Sequence, residues 1–200
     1  MLRPHELAFE AKPGNFLRAK YFRDRNPQYA HLTNVIGSYG GSVLDVGCAS
    51  CIMYPLLKDK VDRYVGLDIT QKFLDHAKLV HPEIEVKLGS ILDIPFPDNS
   101  FDTVFCKSVI LHLDPKEMPR AISEMMRVAS KRAVIGFRTL PGEKGSVSMS
   151  KGFFYVVYRK QEVMDVVTNH EKFESVEVLV GKPYRNIRTA IYLVSVKESM

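Results

Sequence analysis

Apolar and polar residues alternate along the chain in short β-type runs separated by helical stretches. Ser42-Val43-Leu44-Asp45-Val46 is a compact apolar run ending in a glycine-bearing turn, the pattern of a buried strand. Arg63–Asp68, Ile84–Leu88, Phe101–Cys106 and Arg132–Phe137 repeat that character, so five strands are predicted. Between them apolar residues return at helical spacing: Phe73, Leu74, Ala77 and Val80 within 71–80, with Thr70 as N-cap, and Met118, Ile122, Met125 and Ala129 within 116–130. A further helix passes through Tyr54-Pro55-Leu56-Leu57, where proline suits the first turn. Upstream, 15–36 reads as one or two helices broken at Asn26-Pro27, with Phe16, Tyr21, Phe22, Leu32, Val35 and Ile36 as apolar faces. Downstream, Thr139–Lys151 is a Gly/Ser-containing excursion and 161–168 a helix. Phe173–Val180 and Thr189–Val196 then close the chain as a strand pair around Gly181-Lys182-Pro183. Five strand–helix alternations followed by a strand pair predict an open α/β sheet covered on both faces.

Composition narrows the class. The 200 residues suit one domain. With 46% hydrophobic and 26% charged residues, wholesale disorder is excluded. No apolar run approaches the roughly 18 residues of a membrane helix, and the N-terminus carries charges where a secretory signal would be apolar. Three cysteines cannot form a closed disulfide set, so a reducing cytoplasm is the expected location. The net charge of +5 is mild, but Lys116–Lys160 holds ten Lys/Arg against three Glu. That stretch permits an anionic ligand without demanding nucleic acid.

In open α/β sheets ligands bind beyond the carboxyl ends of the strands, where strand order reverses. The first strand ends in Asp45-Val46-Gly47-Cys48-Ala49-Ser50-Cys51, and Gly47 lets backbone approach a ligand closely. Asp68 ends the second strand 21 residues after Gly47, placed to accept both ribose hydroxyls of a nucleotide-like cofactor. A dinucleotide fingerprint would place glycine at 47, 49 and 52, whereas the chain has Gly47, Ala49 and Ile52. An acid opening the loop serves an ammonium instead. These residues favour S-adenosyl-L-methionine, which carries a sulfonium, an ammonium and a carboxylate, over a nicotinamide cofactor.

Val43-Leu44-Asp45-Val46-Gly47-Cys48-Ala49 resembles the VLDVGCG loop of the class I S-adenosylmethionine-dependent methyltransferases, and Tyr64-Val65-Gly66-Leu67-Asp68-Ile69 their second-strand acidic motif. Ile94 to Asp102 is similar to the LPFPDNSFD segment of their small type 11 branch, and Val109-Ile110-Leu111-His112-Leu113 to the VLHHL-like stretch after their fourth strand. The resemblance covers 43 to about 137. It implies a Rossmann-like open, mostly parallel seven-stranded sheet with helices on both faces and a C-terminal antiparallel strand pair. The chain would divide into an N-terminal helical cap (1–41), a cofactor-binding core (42–138) and an acceptor-side excursion, helix and final strand pair (139–200).

Carried over residue by residue, the resemblance implies that Asp45 and Gly47, with Cys48 and Ala49 in the same loop, hold the amino-acid end of the cofactor. Asp68 would bind the ribose and Ile69 would pack on the adenine. Ser90 and Ile91 fall where the family contacts the adenine edge, and Lys107 where backbone lines the methionine moiety. Ala49 and Cys51 stand where the family usually has glycine, and Ser90 replaces its usual aspartate. Ala49 therefore needs a backbone angle that glycine takes more readily.

Methyl transfer from a sulfonium is an in-line displacement whose leaving thioether needs no proton, so the protein positions the acceptor and can supply a base. His112 is the candidate base; its alternative is to cap or pack a helix. Cys48, Cys51 and Cys106 could gather on the cofactor side, but a metal site needs a fourth ligand and stronger spacing, and buried cysteines commonly act as small hydrophobes. No metal is expected. Phe153, Phe154, Tyr155 and Tyr158, beside Lys151 and Arg159, are read either as acceptor contacts or as core.

An exocyclic-amine nucleic-acid enzyme would show Asn/Asp-Pro-Pro-aromatic after the fourth strand, where this chain has Lys107-Ser108-Val109-Ile110. A cytosine-C5 enzyme would place its nucleophilic cysteine after proline, and Cys106 follows Phe105. The expected partner is a small-molecule acceptor, methylated at O or N, which the basic stretch permits to be anionic. An RNA-modifying methyltransferase and a non-catalytic, cofactor-binding regulatory subunit stand as alternatives, and the oligomeric state is left open.

Overall fold

The structure, a computed structural model, describes residues 27–139, 146–150, 153–180 and 188–197. It comprises two compact units, divided between Ser90 and Ile91. In the first, helix α1 (Pro27–Gly37) precedes strand β1 (Ser42–Val46), the short helix α2 (Tyr54–Leu57), β2 (Arg63–Asp68), α3 (Gln71–Val80) and β3 (Glu85–Leu88). The strands lie in the order β3-β2-β1, all parallel, with Asp45 opposite Gly66 and Asp68 opposite Leu88. Parallel neighbours need a crossover connection, which α2 and α3 supply. The core is formed by Val43, Leu44 and Val46 of β1, Val65 and Leu67 of β2, and Phe73, Leu74 and Ala77 of α3. Val80, expected on the same stripe, is exposed instead, because the helix ends there and His81 already leaves helical geometry. In α1, Leu32 and Ile36 are buried as expected. The predicted helical residues 15–26, with Tyr21 and Phe22, lie outside the described residues.

The second unit contains β4 (Phe101–Lys107), 3-10 turns at Ile110–His112 and Pro115–Glu117, helix α4 (Met118–Val128), β5 (Ala129–Thr139), β6 (Ser146–Ser150), β7 (Phe153–Val157), α5 (Lys160–Thr168), β8 (Phe173–Val180) and β9 (Arg188–Val196). Here the order is β4-β5-β9-β8: β4 and β5 are parallel, and β9 pairs antiparallel with both β5 and β8. Three strands of the first unit and four of the second account for the seven of the main sheet, closed by the expected antiparallel pair. No helix among the described residues is long and apolar enough to cross a membrane.

Two expectations change here. The excursion after the fifth strand is not irregular: β6 and β7 form a separate antiparallel hairpin, with Ser148 opposite Tyr155. The alternating Ser-Val-Ser-Met-Ser run and the aromatic Phe-Phe-Tyr-Val-Val run give it a β-type pattern. The helix predicted over 116–130 is also shorter. Pro115–Glu117 forms a capped 3-10 turn, and Ala129 already belongs to β5, paired with Phe101.

That abrupt helix-to-strand passage leaves carbonyls at the end of α4 needing donors. Lys172 supplies them. Its Nζ donates to the carbonyls of Met126 (2.8 Å), Arg127 (3.2 Å) and Ala129 (2.6 Å) and to Asn99 Oδ1 (2.6 Å). Partial burial lowers the Lys172 pKa, but the converging acceptors suit an ammonium. Lys172→Met is expected to cost about 2 kcal/mol, the scale of charge-assisted hydrogen bonds to half-buried groups. Chemical denaturation of the two proteins measures it, and an unchanged midpoint would remove Lys172 from this role.

Candidate cofactor site

Asp45 is the fourth residue of β1, and only 3% of its surface is exposed. A buried carboxylate needs donors, and one comes from the neighbouring strand: the Tyr64 hydroxyl donates a very short hydrogen bond to Asp45 Oδ2. Burial pushes the Asp45 pKa up to about 7. The Tyr64 bond pulls it down and the charge of Asp68 pushes it further up.

Past β1 the chain makes a tight loop tied to the end of β2. The Gly47 and Cys48 N–H groups both donate to the Leu67 carbonyl, at 2.7 and 3.0 Å. Gly47 (φ +73°), Ala49 (φ +49°) and Cys51 (φ +54°) are all left-handed. The angle expected of Ala49 is therefore the one it adopts, and Cys51 adopts it too. Alternate residues of this loop thus occupy a conformation that costs a side-chain-bearing residue about 1 kcal/mol. Strain of this kind persists where surrounding contacts hold it, and it clusters at functional sites.

Those contacts converge on Asp68, the last residue of β2, which is 8% exposed. Its Oδ2 accepts from the Ala49 N–H at 2.8 Å and its Oδ1 from the Thr70 N–H at 2.9 Å. Burial raises its pKa, and these backbone bonds, with the Thr70 hydroxyl, oppose that rise. Thr70 does occupy the N-cap of α3, but its side chain makes no cap bond to the helix. Each Asp68 oxygen keeps lone-pair capacity beyond its backbone partner. Ile69, beside it, is half-buried, and Ser90 is half-buried past the end of β3.

Cys48 and Cys51 pack on β2. A Cβ at Gly66 would lie 2.8 Å from Cys48 Sγ and 2.5 Å from Cys51 Sγ, so only glycine fits beneath the two sulfurs. Burial pushes the Cys48 thiol well up, which keeps it protonated and suited to packing. Cys106 is buried in β4.

In the second unit, Ile91 is buried and Lys107, half-buried, ends β4. Ser108 follows in the left-handed region (φ +62°), its N–H on the Gly136 carbonyl at 3.3 Å. His112 ends the 3-10 turn after β4, half-buried, with its ring centroid 5.0 Å from that of Tyr155 and tilted 54° to it. The aromatic run expected as pocket or core therefore divides. Tyr155 meets His112, Tyr158 is buried, and the side chains of Phe153 and Phe154 lie outside the described residues. Three of the ten basic residues of the Lys116–Lys160 stretch are paired locally: Arg127 with Glu124 and Asp98, Lys131 with Asp102, Arg159 with Glu162. The side chains of Arg138, Lys144 and Lys151 lie outside the described residues.

Sequence reasoning missed two residues. Tyr64 read as a strand position, because only the register of β1 and β2 brings its hydroxyl to Asp45. Ser108 read as the start of a loop, with nothing in its identity to announce a left-handed backbone.

Two buried carboxylates at the ends of adjacent parallel strands, with no lysine or arginine paired to either among the described residues, form a donor set that suits a cation and a diol. Residues 44–137 match a family model described as a methyltransferase domain. Over that region the chain is similar to the class I S-adenosylmethionine-dependent methyltransferases of the type 11 branch. It is 29% identical over 116 residues to a "Probable S-adenosylmethionine-dependent methyltransferase" of Mycolicibacterium smegmatis, covering 58% of this chain and 44% of that protein. It is 30% identical over 101 residues to the malonyl-(acyl-carrier protein) O-methyltransferase of Serratia marcescens, covering 50% and 39%. The chain thus spans less than half the length of either relative. Among solved structures, magnesium protoporphyrin IX methyltransferase of Synechocystis with bound S-adenosylhomocysteine aligns with a TM-score of 0.72. At 16% identity it covers 94% of this chain and 96% of that one, and shares the Rossmann-like fold.

The raised Asp45 pKa has a stability consequence in the ligand-free protein. Between the ordinary carboxylate value near 4 and about 7 the folded state holds a proton that the unfolded state has lost, so stability falls as pH rises through that window and levels off above it. Asp45→Asn keeps an acceptor for Tyr64 and carries no charge. It is expected to match the parent near pH 5 and exceed it at pH 8 by on the order of 2 kcal/mol, which denaturation at the two pH values measures. A second variant, Ala49→Gly, relieves a left-handed alanine and is expected to raise stability by about 0.5 kcal/mol; thermal unfolding tests it.

Proposed function

We propose that this domain binds S-adenosyl-L-methionine and transfers its methyl group to an oxygen or nitrogen of a small acceptor. The observation that carries this reading is the pair of buried carboxylates, Asp45 and Asp68, at either side of a loop with left-handed residues, neither paired with a lysine or arginine among the described residues. In it, Asp45 takes the ammonium end of the cofactor, and Gly47, Cys48 and Ala49 supply loop backbone to the amino-acid portion. Asp68 accepts the ribose hydroxyls with its remaining lone pairs. Ile69 packs on the adenine, Ser90 and Ile91 meet its edge, and Lys107 lends backbone beside the methionine chain.

The cofactor supplies an electrophilic methyl on a sulfonium. The protein's part is to orient the acceptor in line with the methyl–sulfur bond and to exclude water. His112 removes the acceptor proton onto an imidazole nitrogen as the new bond to carbon forms, and Tyr155 holds that ring in place. The small-acceptor reading is supported by a relative named malonyl-(acyl-carrier protein) O-methyltransferase and by a fold neighbour named for magnesium protoporphyrin IX. The local pairing of Arg127, Lys131 and Arg159 lends no support to a phosphate track for RNA.

Calorimetric titration with S-adenosylmethionine and S-adenosylhomocysteine is the test. Micromolar binding is expected, weakened at least tenfold in Asp68→Ala, the loss of two hydrogen bonds to a charged acceptor. A wild-type chain that binds neither ligand would overturn the reading.

A further inference from the structure

The cofactor loop contains one polar contact that the family reading does not use. Asp45 is tied across the sheet to the phenol of Tyr64, which is itself 6% exposed and packs its ring against Tyr54 at 5.3 Å. The ionisable groups around this pair are Asp68 on β2 and the thiols of Cys48 and Cys51 in the loop. All of these are neutral or negative when they ionise, and no cation faces the pair among the described residues. A carboxylate in such a setting has two ways to be tolerated: it takes up a proton, or it receives a positively charged ligand.

We infer that Asp45 and Tyr64 form a proton-linked latch for the cofactor: Asp45 holds a proton while the loop is empty and gives it to solvent when the ammonium of the cofactor arrives, and the Tyr64 hydroxyl, a positioning group, sets the pH at which the exchange occurs. The inference rests on the cofactor reading above and adds a residue and a proton to it. The balance is simple. One proton leaves the Asp45 carboxyl, one cationic ligand enters, and no bond to carbon is made or broken.

The latch has a direction. Below the point at which free Asp45 ionises, the ligand must displace a proton, so affinity climbs with pH, up to about tenfold per unit. Above it the carboxylate is ready and affinity levels off. Burial places that point near neutrality, at about 7. Removing the phenol takes away a hydrogen bond that is stronger to the charged form than to the neutral one, so Tyr64→Phe moves the point upward, by about one pH unit.

The experiment titrates the full chain with S-adenosylhomocysteine, which carries the ammonium without reacting, between pH 5.5 and 8.5. Calorimetry is run in two buffers of different ionisation enthalpy, so that released protons are counted. The wild type is expected to release about half a proton per ligand at pH 7, the fraction of Asp45 still protonated there. Tyr64→Phe is expected to release close to one. Its affinity deficit should be about tenfold at pH 6 and less than twofold at pH 8.5. Asp45→Asn, if it binds, should show neither the release nor the slope.

A phenol that serves only packing would weaken binding by the same factor at every pH and leave proton release unchanged, and that result overturns the latch. Tight wild-type binding with no proton release also overturns it, while leaving the cofactor reading intact. Absence of any binding by the wild type overturns both.

Discussion

Two carboxylates buried at the ends of neighbouring parallel strands are costly to keep, and much of the local structure answers to that cost. Asp68 is made tolerable by the backbone N–H groups of Ala49 and Thr70, one on each oxygen. Among the described residues Asp45 is hydrogen-bonded by the Tyr64 phenol alone, and burial holds its proton to near neutrality. The fold keeps these groups buried where a ligand bearing a positive charge and a diol would satisfy both. Such a site stores its unfavourable electrostatics until the ligand arrives, which is how binding energy can be differential between free and bound states.

The same demand explains the loop. For its N–H to reach Asp68, Ala49 must turn left-handed, and the chain repeats that turn at Gly47 and Cys51. Alanine and cysteine here adopt an angle that glycine takes more readily, so the two residues that replace the usual glycines add strain to the loop. The thiols released by this turn settle on β2, and Gly66 is the residue that makes room for them. Loop, glycine and acid thus form one interlocked arrangement within the first unit.

In the second unit, charge does structural work. Arg127 reaches the carbonyls of Ile94 and Phe96 as well as Asp98 and Glu124, fastening the proline-rich segment 94–98 to α4. Lys172 closes the C-terminal end of that helix. Arg127, within a stretch that reads as a basic track in the sequence, thus holds chain segments together, while His112 on the 3-10 turn packs against Tyr155 of the hairpin.

Much of this was legible in the residues. Short apolar runs interrupted by helical periodicity marked seven of the nine described strands and the class, because period and burial are local properties. The acids at 45 and 68 were visible because their spacing from Gly47 is set by the length of one strand–helix–strand unit. What the sequence could not hold was register and direction. Only the pairing of β1 with β2 brings Tyr64 to Asp45 and sets the thiols on Gly66. Only the return of β8 delivers Lys172 to a helix end more than forty residues earlier in the chain. The β6–β7 hairpin was lost behind the glycines that flank it and the serines of β6, which read as an excursion until the two strands pair. Local pattern determined which elements exist and which residues could bear chemistry. Tertiary structure decided which of those residues meet, and therefore which proton a carboxylate must keep.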